Sequence, residues 1–295
     1  MTTDPHAGDP ILAPLHEMLG FTRPTQIVDI GANPIDGDPP YKPLLRAGLC
    51  RVVGFEPQGD ALARLNQEKS AFETYLPYAV GDGTTRVLNL CSYPGWTSIL
   101  VPSQASLNVF SAFQDNARVL QQVPIATFRL DDIAEVEQVD FLKIDIQGGE
   151  LDVFRNATTK LARCVAIQTE VSFVNLYDGQ PGFGALDVEL RQQGFIPHCF
   201  AAIKKGMIAP FMLNNDPWQP LNQLLEADLV YVRDFRDPAA LDDHQLRHLC
   251  LIAHACYQSF DLAFRCLLIL RERGAIADGS GQRYIDLLNA ARVAG

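Results

Sequence analysis

Gln26-Ile27-Val28-Asp29-Ile30-Gly31-Ala32-Asn33, followed by Val52-Val53-Gly54-Phe55-Glu56-Pro57, decides the fold. The first run is a short apolar strand with an acid two places before a glycine. Glycine there lets the backbone approach a ligand, and the N–H groups of the turn can meet a carboxylate. The second run ends on Glu56, where a carboxylate can grip both hydroxyls of a ribose. Nicotinamide and S-adenosylmethionine proteins share that device, but the GxGxxG fingerprint of the former is missing. A Walker A loop and a YxxxK pair are absent too.

Outward from this stretch, apolar runs alternate with helical or turn-rich spans: Thr74 to Val80, Phe141 to Ile146 and Cys164 to Thr169. Such alternation predicts a doubly wound α/β fold, a Rossmann-like and mostly parallel sheet of seven strands. Helices are expected from Asp60 to about Lys69, from Asp131 or Asp132 through Glu137, from Glu150 to Leu161, and from Gly184 to Gly194. Arg86 to Leu90 and Ser98 to Val101 read as extra strand pieces. Phe195 to Phe200, Met207 to Phe211 and Asp228 to Val232, with Lys204-Lys205-Gly206 as a hairpin turn, give the sheet an antiparallel end.

Residues 1–25 form an arm rich in Pro, Gly and Asp that ends in a short helix packed on the main domain, residues 26–237. From 238 to 295 the periodicity turns helical (Leu246, Leu249, Cys250, Ala253, Tyr257), giving a C-terminal extension. Its apolar stripe suits core packing or a homodimer contact.

The chain has 295 residues and a formal charge of −11. That balance argues against nucleic acid, which needs clustered Lys and Arg to release counterions. No apolar run reaches the length of a membrane span, and the opening MTTDPHAGDP lacks the basic and apolar regions of a signal peptide. Seven cysteines without a CxxC pair suggest neither a zinc site nor a disulfide framework. A cytoplasmic protein is expected.

The blocks Asp29-Ile30-Gly31-Ala32-Asn33, Gly54-Phe55-Glu56-Pro57, Ala79-Val80-Gly81-Asp82, Leu130-Asp131-Asp132 and Leu142-Lys143-Ile144-Asp145-Ile146-Gln147-Gly148-Gly149-Glu150 stand in order. Together, over about residues 26–200, they resemble the FkbM family of methyltransferases. The resemblance implies a class I S-adenosylmethionine-dependent O-methyltransferase acting on a hydroxyl of a sugar, glycan or polyketide-like metabolite. It implies cofactor contacts from Asp29, Gly31, Ala32, Asn33, Glu56, Pro57, Gly81, Asp82 and Asp145. The chain departs from the family in two places. Pro34-Ile35-Asp36 and a Pro-rich loop follow the first glycine, and Gln147 stands where a glutamate is common.

Methyl transfer needs an aligned hydroxyl and a base. Period-two alternation puts Lys143, Asp145 and Gln147 on one face of a central strand, so Asp145 and Lys143 either pair or contact ligand. Asp145 is the first candidate base. Glu170, ending the next strand beside a Tyr177 to Gly182 loop suited to a lid, is the second, and His198 the third. Trp96-Thr97-Ser98, with Gln147 and Tyr177, are the candidate acceptor contacts, and Trp218 is a weaker one. Asp145 and Glu170 offer oxygen ligands for Mg²⁺, but no compact ligand cluster indicates a metal. Two other readings stay open: a catalytically silent interaction or regulatory protein on the same fold, and a nicotinamide-dependent sugar-modifying enzyme.

Overall fold

The computed structural model describes residues 9–35 and 37–294, so the first eight residues of the expected arm and Asp36 of the first loop lie outside the described residues. The described arm is helix α1 (Leu12–Leu19), whose Leu12, Leu15 and Leu19 are buried and which stops at Gly20 in the left-handed conformation. Strand β1 (Thr25–Ile30), helix α2 (Lys42–Arg46), strand β2 (Cys50–Phe55), helix α3 (Gly59–Glu68) and strand β3 (Glu73–Leu76) follow. Next come strands β4 (Ala79–Val80) and β5 (Thr85–Cys91), helix α4 (Gln104–Val109), strand β6 (Val119–Phe128) and strand β7 (Phe141–Ile144). Helices α5 (Glu150–Arg155) and α6 (Thr158–Leu161), strand β8 (Ala166–Ser172), helix α7 (Phe183–Gln192), and strands β9 (Phe195–Lys205) and β10 (Leu224–Arg233) complete the sheet region. Helices α8 (Asp243–Tyr257), α9 (Phe260–Glu272) and α10 (Ser280–Ala294) end the chain.

Seven strands form one sheet in the order β3-β2-β1-β7-β8-β10-β9, parallel except for β10, which runs antiparallel to both β8 and β9. The expected doubly wound fold with an antiparallel end is therefore present. Strand order reverses between β1 and β7, the switch point at which such sheets open a ligand crevice. One face is covered by α1, α2, α8 and α9, around Ile27, Val52, Phe141, Ala166 and Val230. The other is covered by α5 and α7, around Val28, Ile30, Leu142, Ile144 and Ile167.

Several elements differ from expectation for physical reasons. The single strand expected from Thr74 to Val80 divides at Pro77, which has no N–H for a ladder, and β4 joins β6 and β5 in a separate small sheet. The long strand β6 shows no apolar alternation, since most of its residues are exposed or half-buried, and it was not foreseen. Ser98 to Val101 contributes one bridge, Ser98 to Asn89. The helix expected after Asp131 shrinks to one turn at Leu130–Asp132, because the Asp131 carboxylate accepts from the Thr159 and Lys160 amides at the start of α6 instead. The helix from Glu150 to Leu161 is broken into α5 and α6 around Asn156, whose amide turns back to the Asp152 carbonyl. Lys204 and Lys205 are no hairpin turn; they extend β9, with Lys204 opposite Glu226 and Lys205 opposite Leu224. Met207 to Phe211 belongs to a loop, not a strand.

The C-terminal stripe is core: Leu246, Leu249, Cys250, Ala253 and Leu267 are buried against the sheet. Helix α8 starts with a capping box between Asp242 and Gln245. With its stripe consumed inside the protomer, this extension supplies no argument for a dimer. Among the described residues, no helix is long and apolar enough to cross a membrane.

Candidate active site

A cleft of about 660 Å³ lies over the carboxyl ends of β1, β2 and β7 and extends across β8 and β10, within the size range of small-molecule sites. At its centre the turns after β1 and β7 touch. Gly31 has φ +80°, and a Cβ there would stand 2.0 Å from the Asp145 carbonyl oxygen, so a side chain at position 31 would push the two turns apart.

Ala32, Asn33, Glu56 and Pro57 line the cleft beside Gly31. Glu56 is 3% exposed; its Oε1 accepts from the Gln58 amide at 2.8 Å, and burial raises its pKa against that bond and one from Asn33. Asp29 also lines the cleft, but both its oxygens are engaged: Tyr41 donates to Oδ2 at 2.6 Å and Lys143 to Oδ1 at 3.3 Å. Burial pulls the Lys143 pKa down, but the carboxylates of Asp29 and Asp145 outweigh it and keep the ammonium charged. Gly81 and Asp82 are not in the cleft wall. They form the turn between β4 and β5, where the Asp82 oxygens take Thr84 and Arg86, and these hydrogen bonds override slight burial to bring its pKa down to about 2.

Gln147 organises the turn after β7. It is a non-glycine residue at φ +60°, a conformation that needs support from its surroundings. Its Nε2 donates to Asp145 Oδ1 at 2.8 Å, its Oε1 accepts from Tyr177 at 3.0 Å, and its backbone carbonyl accepts from Ser98 at 2.7 Å. Asp145, Ser98, Tyr177 and Gln147 are thus one network. Beneath it, Glu150 accepts from the Ile146 and Gly148 amides and fixes the turn. Trp96 and Thr97 line the cleft with Ser98. The Trp96 ring stands 5.5 Å from both Phe113 and Tyr177, and Phe113 meets Trp218 edge-on at 5.3 Å. An aromatic wall of Trp96, Phe113 and Trp218 therefore lines the same cleft as Asp145.

Two candidate bases are elsewhere. Glu170 is 4% exposed and lies behind Lys204, which it meets at 3.0 Å; burial and the neighbouring Glu226 raise its pKa against the pull of Lys204. His198 faces the helical layer, 2.7 Å from Ser259, and burial lowers its pKa. The Tyr177 to Gly182 loop is no open lid: Tyr177 and Gln180 are buried, and Gln180 ties the Leu176 amide to Ser172. Among the described residues, no group of three or more His, Cys, Asp or Glu is arranged to hold a metal.

Sequence reasoning missed Tyr41, Phe113, Gln168, Lys204, Glu226 and Asp228. The last two carried a signal. Glu226 and Asp228 alternate along β10 as Lys143 and Asp145 do along β7, and register puts both pairs on one sheet face.

The model of the methyltransferase FkbM domain matches residues 29–197, more than half of the chain. Among solved structures, the chain is similar to magnesium protoporphyrin IX methyltransferase (ChlM) from Synechocystis PCC 6803 with bound SAM, at 9% identity and TM-score 0.38 over 76% of this chain and 78% of that one. It is also similar to precorrin-6y C5,15-methyltransferase from Geobacter metallireducens GS-15, at 9% identity and TM-score 0.36 over 76% and 87%. No curated protein matches the chain. With the family model spanning the chain from the end of β1 into β9, the chain belongs to the FkbM family of methyltransferases.

Proposed function

We propose that the chain is an S-adenosylmethionine-dependent O-methyltransferase acting on a hydroxyl of a sugar, glycan or secondary metabolite. The carrying observation is one cleft that joins the Gly31 turn and buried Glu56 to Asp145 and the aromatic wall of Trp96 and Phe113. The residues fit the cofactor: Gly31 to Asn33 offer turn amides for a carboxylate and Glu56 offers acceptors for a ribose. The bound cofactor supplies an electrophilic methyl group. Asp145, oriented by Gln147, accepts the hydroxyl proton, and Trp96 and Phe113 give a sugar ring a flat apolar face. Calorimetric titration with S-adenosylhomocysteine, with NAD as control, tests the reading. Micromolar binding of the first and none of the second is expected; no binding of either compound sinks it.

A further inference from the structure

Toward the carboxyl ends of the strands, one sheet face changes from apolar to charged. Ile27 gives way to Asp29, Phe141 to Lys143 and Asp145, and Ala166 to Gln168 and Glu170, while β10 adds Asp228 and Glu226 and β9 adds Lys204. Five carboxylates on this face stand against the ammonium groups of Lys143 and Lys204. Lys205 also reaches the cleft wall, but strand alternation turns it to the opposite face, and it is exposed. The partners are unevenly shared. Lys143 serves Asp29, and Lys204 serves both Glu170 and Glu226 at 3.0 Å. Asp145 has the Gln147 amide.

Two acidic groups on β10 have acceptor oxygens left over. Glu226 is 8% exposed and lines the cleft, and its Oε2 has no hydrogen-bond partner. Asp228 lines the cleft beside it, with no hydrogen bond or ion pair among the described residues. Burial and the charge of Asp145 raise the Asp228 pKa against the opposing pull of the Lys204 and Lys143 ammonium groups. An unsatisfied buried carboxylate is costly, and proteins leave such groups where a ligand completes them. Five carboxylates against Lys143 and Lys204 leave this face with more acidic groups than ammonium groups. On the methyltransferase reading, the cofactor brings one net positive charge through its sulfonium, since its ammonium and carboxylate cancel. An excess of carboxylates remains, and Glu226 and Asp228 lie on β10, beyond β8 from Asp145.

We propose that the acceptor is a hydroxylated amine, such as an amino sugar, whose ammonium group seats against Asp228 and Glu226 while its hydroxyl points to Asp145. An ammonium held by carboxylates keeps its proton and is no nucleophile, so the hydroxyl remains the group methylated. This inference rests on the proposed function.

The test uses the full chain loaded with S-adenosylhomocysteine, whose binding alone reports on the underlying methyltransferase reading. Matched probes are titrated calorimetrically: methyl glycosides of glucosamine, N-acetylglucosamine and glucose, and hydroxylated amines paired with their N-acetyl forms. Amine members are expected to bind at least tenfold tighter than their acetylated partners. Asp228→Asn and Glu226→Gln, checked by circular dichroism for an intact fold, are expected to erase that preference without weakening S-adenosylhomocysteine. Normal S-adenosylhomocysteine binding with equal or tighter binding of the neutral members, or with no amine bound, overturns the proposal. So does micromolar Mg²⁺ binding that depends on the same two carboxylates.

Discussion

Tyr41 donates its hydroxyl proton to Asp29 Oδ2 at 2.6 Å, and this bond ties the irregular first loop to the central strand. Asp29 is 2% exposed, and Lys143 takes its other oxygen. The acid that opens the cofactor signature therefore has both oxygens engaged at the cleft wall, holding Lys143 and the end of β1 in place. The Pro-rich insertion before Tyr41 brings the phenol to this position. Tyr41→Phe removes the donor and leaves a buried carboxylate oxygen unpaired, at a cost of roughly 1–3 kcal/mol. A lower urea midpoint and weaker S-adenosylhomocysteine binding are expected. An unchanged midpoint would show that water or another group takes over from the phenol.

Asp145 and Gln147 form the other decisive pair. Asp145→Asn keeps the shape and one acceptor oxygen but removes the proposed base, so turnover should fall by about 10²–10⁴-fold, the usual size of a general-base contribution. S-adenosylhomocysteine affinity should change far less than turnover. The check is a methyl-transfer assay beside calorimetry on the same preparation. Turnover within a few-fold of the parent would reject Asp145 as the base.

The fold was legible because its central strands are buried and bounded by glycine, proline and acids; every residue of β8, for example, is buried. Elements that depend on partners distant in sequence were not. Strand β6 pairs with β5 while exposing most of its side chains, so no apolar period marks it. The Lys204-Lys205-Gly206 turn was inferred from local chemistry, whereas the pairing with β10 keeps both lysines in a strand. At the site, Gly31, Glu56 and Asp145 were readable as strand-end residues of a parallel sheet. Glu170 is one as well, yet Lys204, 34 residues later, covers it. His198 could not be assigned from its own strand, because its partner Ser259 comes from the helical extension.

The two tryptophans should behave as opposites. Trp96 is 8% exposed and packed between Phe113 and Tyr177, whereas Trp218 is 53% exposed and touches Phe113 only by an edge-on contact among its ring neighbours. Trp96→Ala opens a cavity and should cost about 3–5 kcal/mol. Trp218→Ala should stay within about 0.5 kcal/mol, as surface substitutions do. Urea unfolding followed by circular dichroism separates them, and similar losses for the two would contradict the packing described for Trp96.

Glu150 gives the site a pH dependence of stability. Its carboxyl is 4% exposed and receives the Ile146 and Gly148 amides. Burial dominates over these bonds and, with the charge of Asp145, raises its pKa to about 7. A folded-state pKa above the unfolded value means that the contribution to stability is whole below about pH 4.5 and is lost as pH rises toward 7. Over that window the unfolded chain releases the proton while the folded chain retains it, and the loss is on the order of 3 kcal/mol. Glu150→Gln keeps an acceptor oxygen for the two amides and cannot ionise. Against the parent, its melting temperature should therefore rise by several degrees between pH 5 and pH 8. Parallel melting curves across that range would mean that Glu150 ionises as readily in the folded chain as in the unfolded one, and that the turn carrying Asp145 and Gln147 is held by a carboxylate throughout it.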